Sequence, residues 1–446
     1  MSTSLRASTS ALAGDSAAQR AWEGEYATGA WARTFSSLGN PHFRRLWVSM
    51  LFSFTAIQMS FIAQGVLTFQ LTGTATSLGL VSLGWGLTQL PLSLVGGVAA
   101  DRLHKRWIII SSQSALAVTS LLTAILIQTD AIAVWQIFAL AMLMGTAFAF
   151  NVPARQAWIP ELVGEERLMN AVALNSSAFT LTGIVGPALA GILLAAPFVG
   201  LAEIYYFTAA CFAIVVVIML RIPGGAPSTD RDRPPPHREL LDGLSYVRHH
   251  PTLPFLLLMG FVPIVLGMPY RTFFPVFQER VYGVSEGWLG AMGAVMAVGA
   301  LTGSLVVASL STTSRRSLIQ LAVGIGFGVS LILFGAAPVL PLGLVALLFV
   351  GLTANGYWAL NNTMVLGSTA PEYYGRVMSV YMVSWSMTSF SALPESALAD
   401  HVGVQTMVAG VGALLVVLLL AIVFLLPGYR RLQAREAAHI LAPELN

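Results

Sequence analysis

The feature that most constrains this chain is a run of about 20 apolar residues, the length that crosses a bilayer core, repeated twelve times. The runs lie near 46–70, 78–100, 107–128, 131–154, 170–195, 202–221, 252–278, 287–310, 317–336, 341–366, 377–399 and 405–426. In hydrocarbon only helices and closed barrels satisfy every backbone polar group. These runs are continuous, not alternating, so helices are expected and a barrel is not. Composition agrees: 56% of the residues are hydrophobic and 10% charged, against roughly 25% charged in a soluble domain. The expected architecture is an all-α membrane protein with twelve transmembrane helices. It divides into an N-terminal tail over 1–45, a six-helix bundle over 46–221, a linker over 222–251, a second six-helix bundle over 252–427 and a C-terminal tail over 428–446.

Charge placement gives an orientation. With both termini and the Pro-rich linker in the cytoplasm, 21 of the 23 Lys and Arg fall on the cytoplasmic side, and only Arg271 and Arg280 do not. That asymmetry is the positive-inside signature. The tail before residue 40 carries no apolar stretch of signal-peptide type, so it reads as a disordered cytoplasmic segment. One cysteine, Cys211, excludes an intramolecular disulfide, and no Cys or His cluster suggests a metal. The net charge of +3 is too small to imply a nucleic-acid partner. No phosphate-binding loop of the Walker type is present, so this chain is expected neither to hydrolyse ATP nor to be an enzyme, and no cofactor is implied.

The two sets of six runs repeat each other. Pro160-Glu161-Leu162-Val163-Gly164 returns as Pro371-Glu372-Tyr373-Tyr374-Gly375, and Leu78-Gly79 as Leu289-Gly290 at the same offset. Lys105 and Arg106 are echoed by Arg315 and Arg316. Six is even, so both halves enter the membrane the same way round. Parallel six-helix repeats around a central cavity are a transporter architecture.

Three stretches carry chemistry. Where the second run ends stands Gly97-Val98-Ala99-Ala100-Asp101-Arg102-Leu103-His104-Lys105-Arg106. Glycine lets a neighbouring helix approach. An acid at a helix C-terminus is unfavourable alone and needs a cation or another helix's N-terminus. Such a contact, made in one conformation and broken in another, is a gate. The alternative is a plain positive-inside anchor. In the fifth run stands Gly183-Ile184-Val185-Gly186-Pro187-Ala188-Leu189-Ala190-Gly191, which weakens the helix and permits close packing. Its alternative is a generic small-residue packing face. The third stretch is dispersed: Asn40-Pro41-His42-Phe43-Arg44-Arg45-Leu46-Trp47 before the first run, Pro153-Ala154-Arg155-Gln156-Ala157 after the fourth, and Met268-Pro269-Tyr270 with Pro275-Val276-Phe277 in the seventh.

The first stretch resembles the signature loop of the major facilitator superfamily, the second its antiporter signature, and the third is similar to the drug-efflux branch that includes macrolide, tetracycline and enterobactin exporters. The resemblance runs from about Asn40 to Pro427. It implies a prokaryotic plasma (inner) membrane protein that exports a bulky amphipathic compound, a drug or siderophore, as a proton antiporter acting by alternating access. It implies gating by Gly97, Asp101, Arg102, Lys105 and Arg106, with Arg376 near the start of the eleventh helix as a candidate partner for Asp101. It implies a second motif of Gly183, Gly186, Pro187 and Gly191. Expected partners are a small-molecule substrate, protons and the bilayer, and the expected state is a monomer. Other readings are an uncoupled lipid or metabolite facilitator and a transporter-like sensor without flux.

The sequence departs from that pattern in its acids. The first run reads Thr55-Ala56-Ile57-Gln58 where many relatives carry a carboxylate, and the second half has Thr312 in place of Asp101. Two charges stand inside later runs instead, Arg271 and Glu395. Intramembrane charges are costly and functional by default. An Arg271–Glu395 pair, with Glu395 accepting the coupling proton, is one expectation; a structural ion pair, or two water-facing residues at the outer mouth, is the other. A cavity lined by the first, fourth, seventh and tenth helices is expected to present Phe54, Gln58, Phe61, Met144, Phe148, Met268, Tyr270, Asn355, Trp358 and Asn362. Aromatic, thioether and amide groups suit a large, weakly polar ligand.

Overall fold

The computed structural model describes residues 35–223, 236–309 and 315–425. Most of the N-terminal tail, Pro234 and Pro235 of the linker, Thr312 and the C-terminal tail lie outside them. The transmembrane helices are α1 (Pro41–Thr72), α2 (Ala75–Arg102), α3 (Lys105–Gln128), α4 (Val134–Val163), α5 (Leu168–Ala195), α6 (Leu201–Leu220), α7 (Leu253–Val281), α8 (Trp288–Ser309), α9 (Arg316–Ala336), α10 (Leu340–Gly367), α11 (Tyr374–Val402) and α12 (Val404–Leu425). Ten of them are long and apolar enough to cross a bilayer as they stand. An eleventh, α2, qualifies when its two pieces are joined across a bend of 47°. Pro91 lies just before that bend, and its missing N–H breaks the hydrogen-bond ladder there. The remaining helix, α11, has 29 residues, but Arg376, Glu395 and Asp400 dilute its apolar run.

Helices overrun their apolar segments. α1 begins at Pro41, so Pro41–Arg45 form its first turn instead of ending a tail, and α4 continues to Val163, well past 154. Bilayer thickness sets the apolar length, whereas the backbone ladder continues as long as its ends are satisfied. Asn40 does this for α1. Its side chain accepts from the N–H groups of His42 (2.8 Å) and Phe43 (3.2 Å), and its amide donates to the Leu162 carbonyl at the end of α4 (2.6 Å). The linker also differs from expectation: Pro236–His249 forms a helix on the end of the second half, packed against α11 and touching α2.

The repeat is visible in the packing. In the first half α2 packs on α4 and α3 on α6; six helices later α8 packs on α10 and α9 on α12. The halves meet along two seams, α2 against α11 and α5 against α8, which the same two-fold relation exchanges. The fold is therefore two parallel six-helix bundles facing each other. Below, the terminal end is the one where α1 starts and α12 ends, and the far end is the opposite one.

α7 is the irregular element. It widens into a π turn over Pro263–Gly267, tightens to a 3-10 turn over Met268–Phe273, and widens again over Phe277–Val281. Pro263, Pro269 and Pro275 recur every six residues through this stretch. Each removes a backbone donor, which accounts for the broken ladder.

Candidate transport site and gates

The two seams close at the far end through small residues. Gly191 of α5 sits against Gly290 of α8, and a side chain on either would collide with the other's backbone. A Cβ on Gly293 would press on Pro187. On the other seam, a Cβ on Gly79 of α2 would stand 2.8 Å from Leu393 Cα and 2.6 Å from Ser396 Oγ of α11, and one on Gly86 would meet Ser389. Helices this close need glycine at the crossing.

A polar clasp reinforces this closure. The Asp400 carboxylate of α11 accepts from the N–H groups of Ala75 and Thr76 (2.8 Å each) and from the Thr76 hydroxyl (2.6 Å). An anion from one half thus caps the N-terminus of α2 in the other half, where the free N–H groups and the helix dipole favour it. Arg280 lies 4.0 Å from Asp400, donates to the Gly73 carbonyl and covers the Phe69 ring. Gly73 adopts φ +64° where α1 ends, a left-handed geometry that suits glycine. Gln70 donates to Glu286 across the same line. Burial raises the Glu286 carboxyl above its usual range, the Gln70 hydrogen bond opposes that, and nearby Glu279 adds to it. Sequence reasoning missed this clasp. The signal available was two acids and an arginine beside short turns at the far end.

Toward the terminal end the α5–α8 seam parts. Gly183 stands eight residues, about 12 Å of helix rise, below Gly191 and on the same face, and its Cβ position meets nothing within 4 Å. Phe179, one turn further down, is 60% exposed. Gly97 of α2 also faces open space, although it shares a face with Gly79 and Gly86. Of the second motif, then, Pro187 and Gly191 hold the closed seam and Gly186 packs on α1 against Gln58, while Gly183 is unengaged.

The basic residues of the signature loop are bound within the first half. Lys105 pairs with Glu161 at 2.6 Å. Arg106 donates to the Leu220 carbonyl at the end of α6 (2.8 Å) and lies over Trp107, whereas Arg102 is exposed. Arg376 pairs with Asp242 of the linker helix at 4.0 Å and covers Tyr373, so its cation is engaged within its own half.

The Arg271–Glu395 pair is likewise absent. Arg271 is exposed, while Glu395 is 8% exposed, with its Oε1 buried and unpartnered. The irregular turns of α7 rotate these neighbouring positions apart, a rotation that sequence spacing cannot foresee.

Of the cavity residues, those on α1 form one stripe. Phe54, Gln58, Phe61 and Gly65 recur at spacings of 4, 3 and 4, which places them on one helical face. Gly65 at the top touches Pro275 of the other half, so the stripe below it looks onto the inter-bundle space. Phe61 is 43% exposed and packs edge-on against Trp85 (5.0 Å), which meets Phe148 (5.2 Å); Phe54 packs on Phe179 (5.5 Å). Trp85 and Phe179, from α2 and α5, were not anticipated. On the second half Trp358 packs edge-on against Trp385 (5.7 Å), and the Trp358 Nε1 and Asn362 Oδ1 are buried without partners. Met268 is half-buried. Three assignments are corrected. Met144 is buried inside the first bundle. Tyr270 is buried in the second, its hydroxyl on Met296 Sδ. Asn355 spends its amide on the Ala300 carbonyl (3.0 Å) and Ser304 Oγ (2.6 Å) of α8. An inward-pointing rotation turned each toward its own bundle.

The sequence profile described as transmembrane secretion effector matches residues 32–446. This chain belongs to that family of the major facilitator superfamily. It is thus a transporter and a multi-pass membrane protein. Among curated relatives it is 27% identical over 346 residues to the enterobactin exporter EntS of Shigella boydii serotype 18, covering 77% of this chain and 81% of that one. The same figures hold for the enterobactin exporter EntS of Escherichia coli O139:H28. Solved facilitator structures share the fold. The nucleoside transporter NupG superposes with a TM-score of 0.67 at 15% identity, covering 85% of this chain and 99% of that one. A bacterial homologue of the human lysosomal transporter Spinster, inward-facing and unoccupied, gives 0.67 at 14% identity over 89% and 98%. Among the described residues, no group of His, Cys, Asp or Glu is arranged to hold a metal.

Proposed function

We propose that this facilitator exports a bulky, weakly polar compound of the siderophore or drug class across the inner membrane of a prokaryote, by alternating access, as a proton antiporter with both termini in the cytoplasm. The observation that carries this reading is the aromatic stripe Phe54–Gln58–Phe61, extended by Trp85 and Phe148, directly beneath the closed Gly65–Pro275 contact. Flat rings and a single amide grip a large ligand by area and leave its few polar groups free. A site built this way favours a catecholate or macrocyclic compound over a compact charged metabolite. The cation asymmetry supports a cytoplasmic terminal end. The enterobactin-exporting relatives support the siderophore class.

The two seams support alternating access. With the far end closed, a ligand meets the stripe from the terminal side. Parting of the Gly191–Gly290 and Gly79–Leu393 contacts, with closure near Gly97 and Gly183, would present the stripe to the far side. The test uses full-length protein in liposomes, with enterobactin and a fluorescent cationic dye as probes. A pH gradient acid on the far side should drive accumulation of one of them toward that side, and Phe61→Ala should weaken it. Absence of flux for both, with the gradient intact, would remove the exporter reading.

A further inference from the structure

The second bundle holds a group that its packing does not use. Glu395 lines a narrow apolar void inside the bundle, too tight to admit a water molecule. Leu266, Tyr270 and Phe273 of α7, Leu331 of α9, and Met407 and Val411 of α12 line it. Tyr270 is the other titratable side chain facing the void, and its hydroxyl is directed to Met296 Sδ. Asp400, five residues on, caps α2, and Arg271 of α7 is exposed. The Oε1 atom has no hydrogen-bond partner. A carboxylate left alone in such surroundings costs far more than a carboxylic acid does.

The void lies beside the break in α7. Ser391, one turn before Glu395 on the same face of α11, donates to the Val265 carbonyl at 2.5 Å, to which Pro269, four residues on, has no N–H to offer. Glu395 also sits just beneath the closed far end, because its neighbour Ser396 meets Gly79 of the other half. Moving α11 away from α2 therefore disturbs the wall of this void.

Resting on the exporter reading above, we propose that Glu395 is the proton-binding site of this transporter, neutral while the far end is closed and ionised when α7 and α11 part to admit water. The linkage is direct. A conformation that buries the side chain alone accepts it protonated, and a conformation that hydrates it accepts it charged. A proton bound on the far side then permits closure, and the far end reopens only after water entering at the break in α7 has carried that proton to the terminal side. The coupling site belongs to the second half, away from the aromatic stripe, so substrate and proton compete through conformation and not for one location.

Two measurements on the full-length protein in lipid test this without any substrate. Infrared difference spectra on titration should show the C=O band of a protonated carboxyl group, lost in Glu395→Gln. In a Cys211→Ala background, spin labels on Leu71→Cys and Trp288→Cys should report a far-end distance whose open fraction rises with pH, and Glu395→Gln should flatten that dependence while keeping the closed distance. Glu395→Leu, which suits an apolar void, guards against misfolding: it should also keep the closed distance and lack the pH response. An unchanged carboxyl band, or an unchanged pH response in both variants, would overturn the proposal. Flux of enterobactin or the dye by wild-type protein is read separately, so loss of the exporter reading and loss of the Glu395 assignment remain distinguishable.

Discussion

The α5–α8 seam is two surfaces in one. At the far end Gly191 and Gly290 touch backbone to backbone; about 12 Å lower the same face of α5 presents Gly183 to open space. Both glycines belong to one motif, yet only one is under steric demand in this conformation. On the alternating-access proposal one motif serves two packings: Gly191 is a contact of this conformation, and Gly183, idle here, is a contact of the opposite one.

The sharpest way to break this comparison is to fill each glycine. Gly191→Leu overpacks a backbone contact, which costs about 1–3 kcal/mol, and ~1.4 kcal/mol is a factor of ten in population. The closed-to-open ratio at the far end should fall about fivefold to a hundredfold, and transport should be lost. Reaction of a Leu71→Cys thiol with a membrane-impermeant reagent would measure it, since an open far end reacts faster. Gly183→Leu should leave that reactivity at or below the wild-type level and still impair transport, by obstructing the opposite closure. If Gly183→Leu transports normally, the seam does not alternate.

The next largest effect concerns the clasp. Asp400→Asn keeps one acceptor for the α2 N-terminus and loses the charge that the helix end and Arg280 favour. Losing such a cap costs about 1 kcal/mol, so the closed-to-open ratio should fall severalfold, less than in Gly191→Leu, with the terminal half of the seam closing to match. Spin-label distances at the two ends would show both changes. Loosening at both ends together would mean that Asp400 stabilises the bundle as a whole and not the closed far end.

The same contrast explains what the sequence could reveal. The spans, the repeat and the α1 stripe were legible because each rests on periodicity: bilayer length, a fixed offset, and spacings of 3 and 4. Rotation about a helix axis is not periodic information, and there the reading failed. Met144 and Tyr270 face their own bundles, and Arg271 and Glu395 are turned apart by the irregular turns of α7. Arg155 shows the same limit from the other side. Its motif carried a family resemblance, but not its role. It is 2% exposed, donating to Asn151 Oδ1 (2.8 Å) and Ser49 Oγ (2.9 Å), while Asn151 reaches Ser112 (2.7 Å). That network ties α1, α3 and α4 together. The first half thus bonds its buried cation, whereas the second leaves its buried anion alone, and only the solitary one suits a proton that must come and go.

The smallest predicted effect is the pH response of the far-end rim. Burial raises the Glu286 carboxyl above its usual range, outweighing the hydrogen bond from Gln70 that lowers it, with Glu279 adding to the rise. The sign follows from linkage. A carboxyl raised by closure binds its proton more tightly in the closed state, so acid on the far side favours closure. That contribution fades as pH rises through the raised value, because the open state, with a more exposed Glu286, releases the proton first. Glu286→Gln should therefore trim the low-pH closing of the far end by a small amount at its acid limb. The larger response assigned to Glu395 should persist at higher pH. In the Leu71→Cys, Trp288→Cys pair, the two variants Glu286→Gln and Glu395→Gln should then remove different parts of one titration curve. A single curve abolished entirely by Glu286→Gln would place the whole pH response at the rim and leave the buried acid of α11 without a role in closing it.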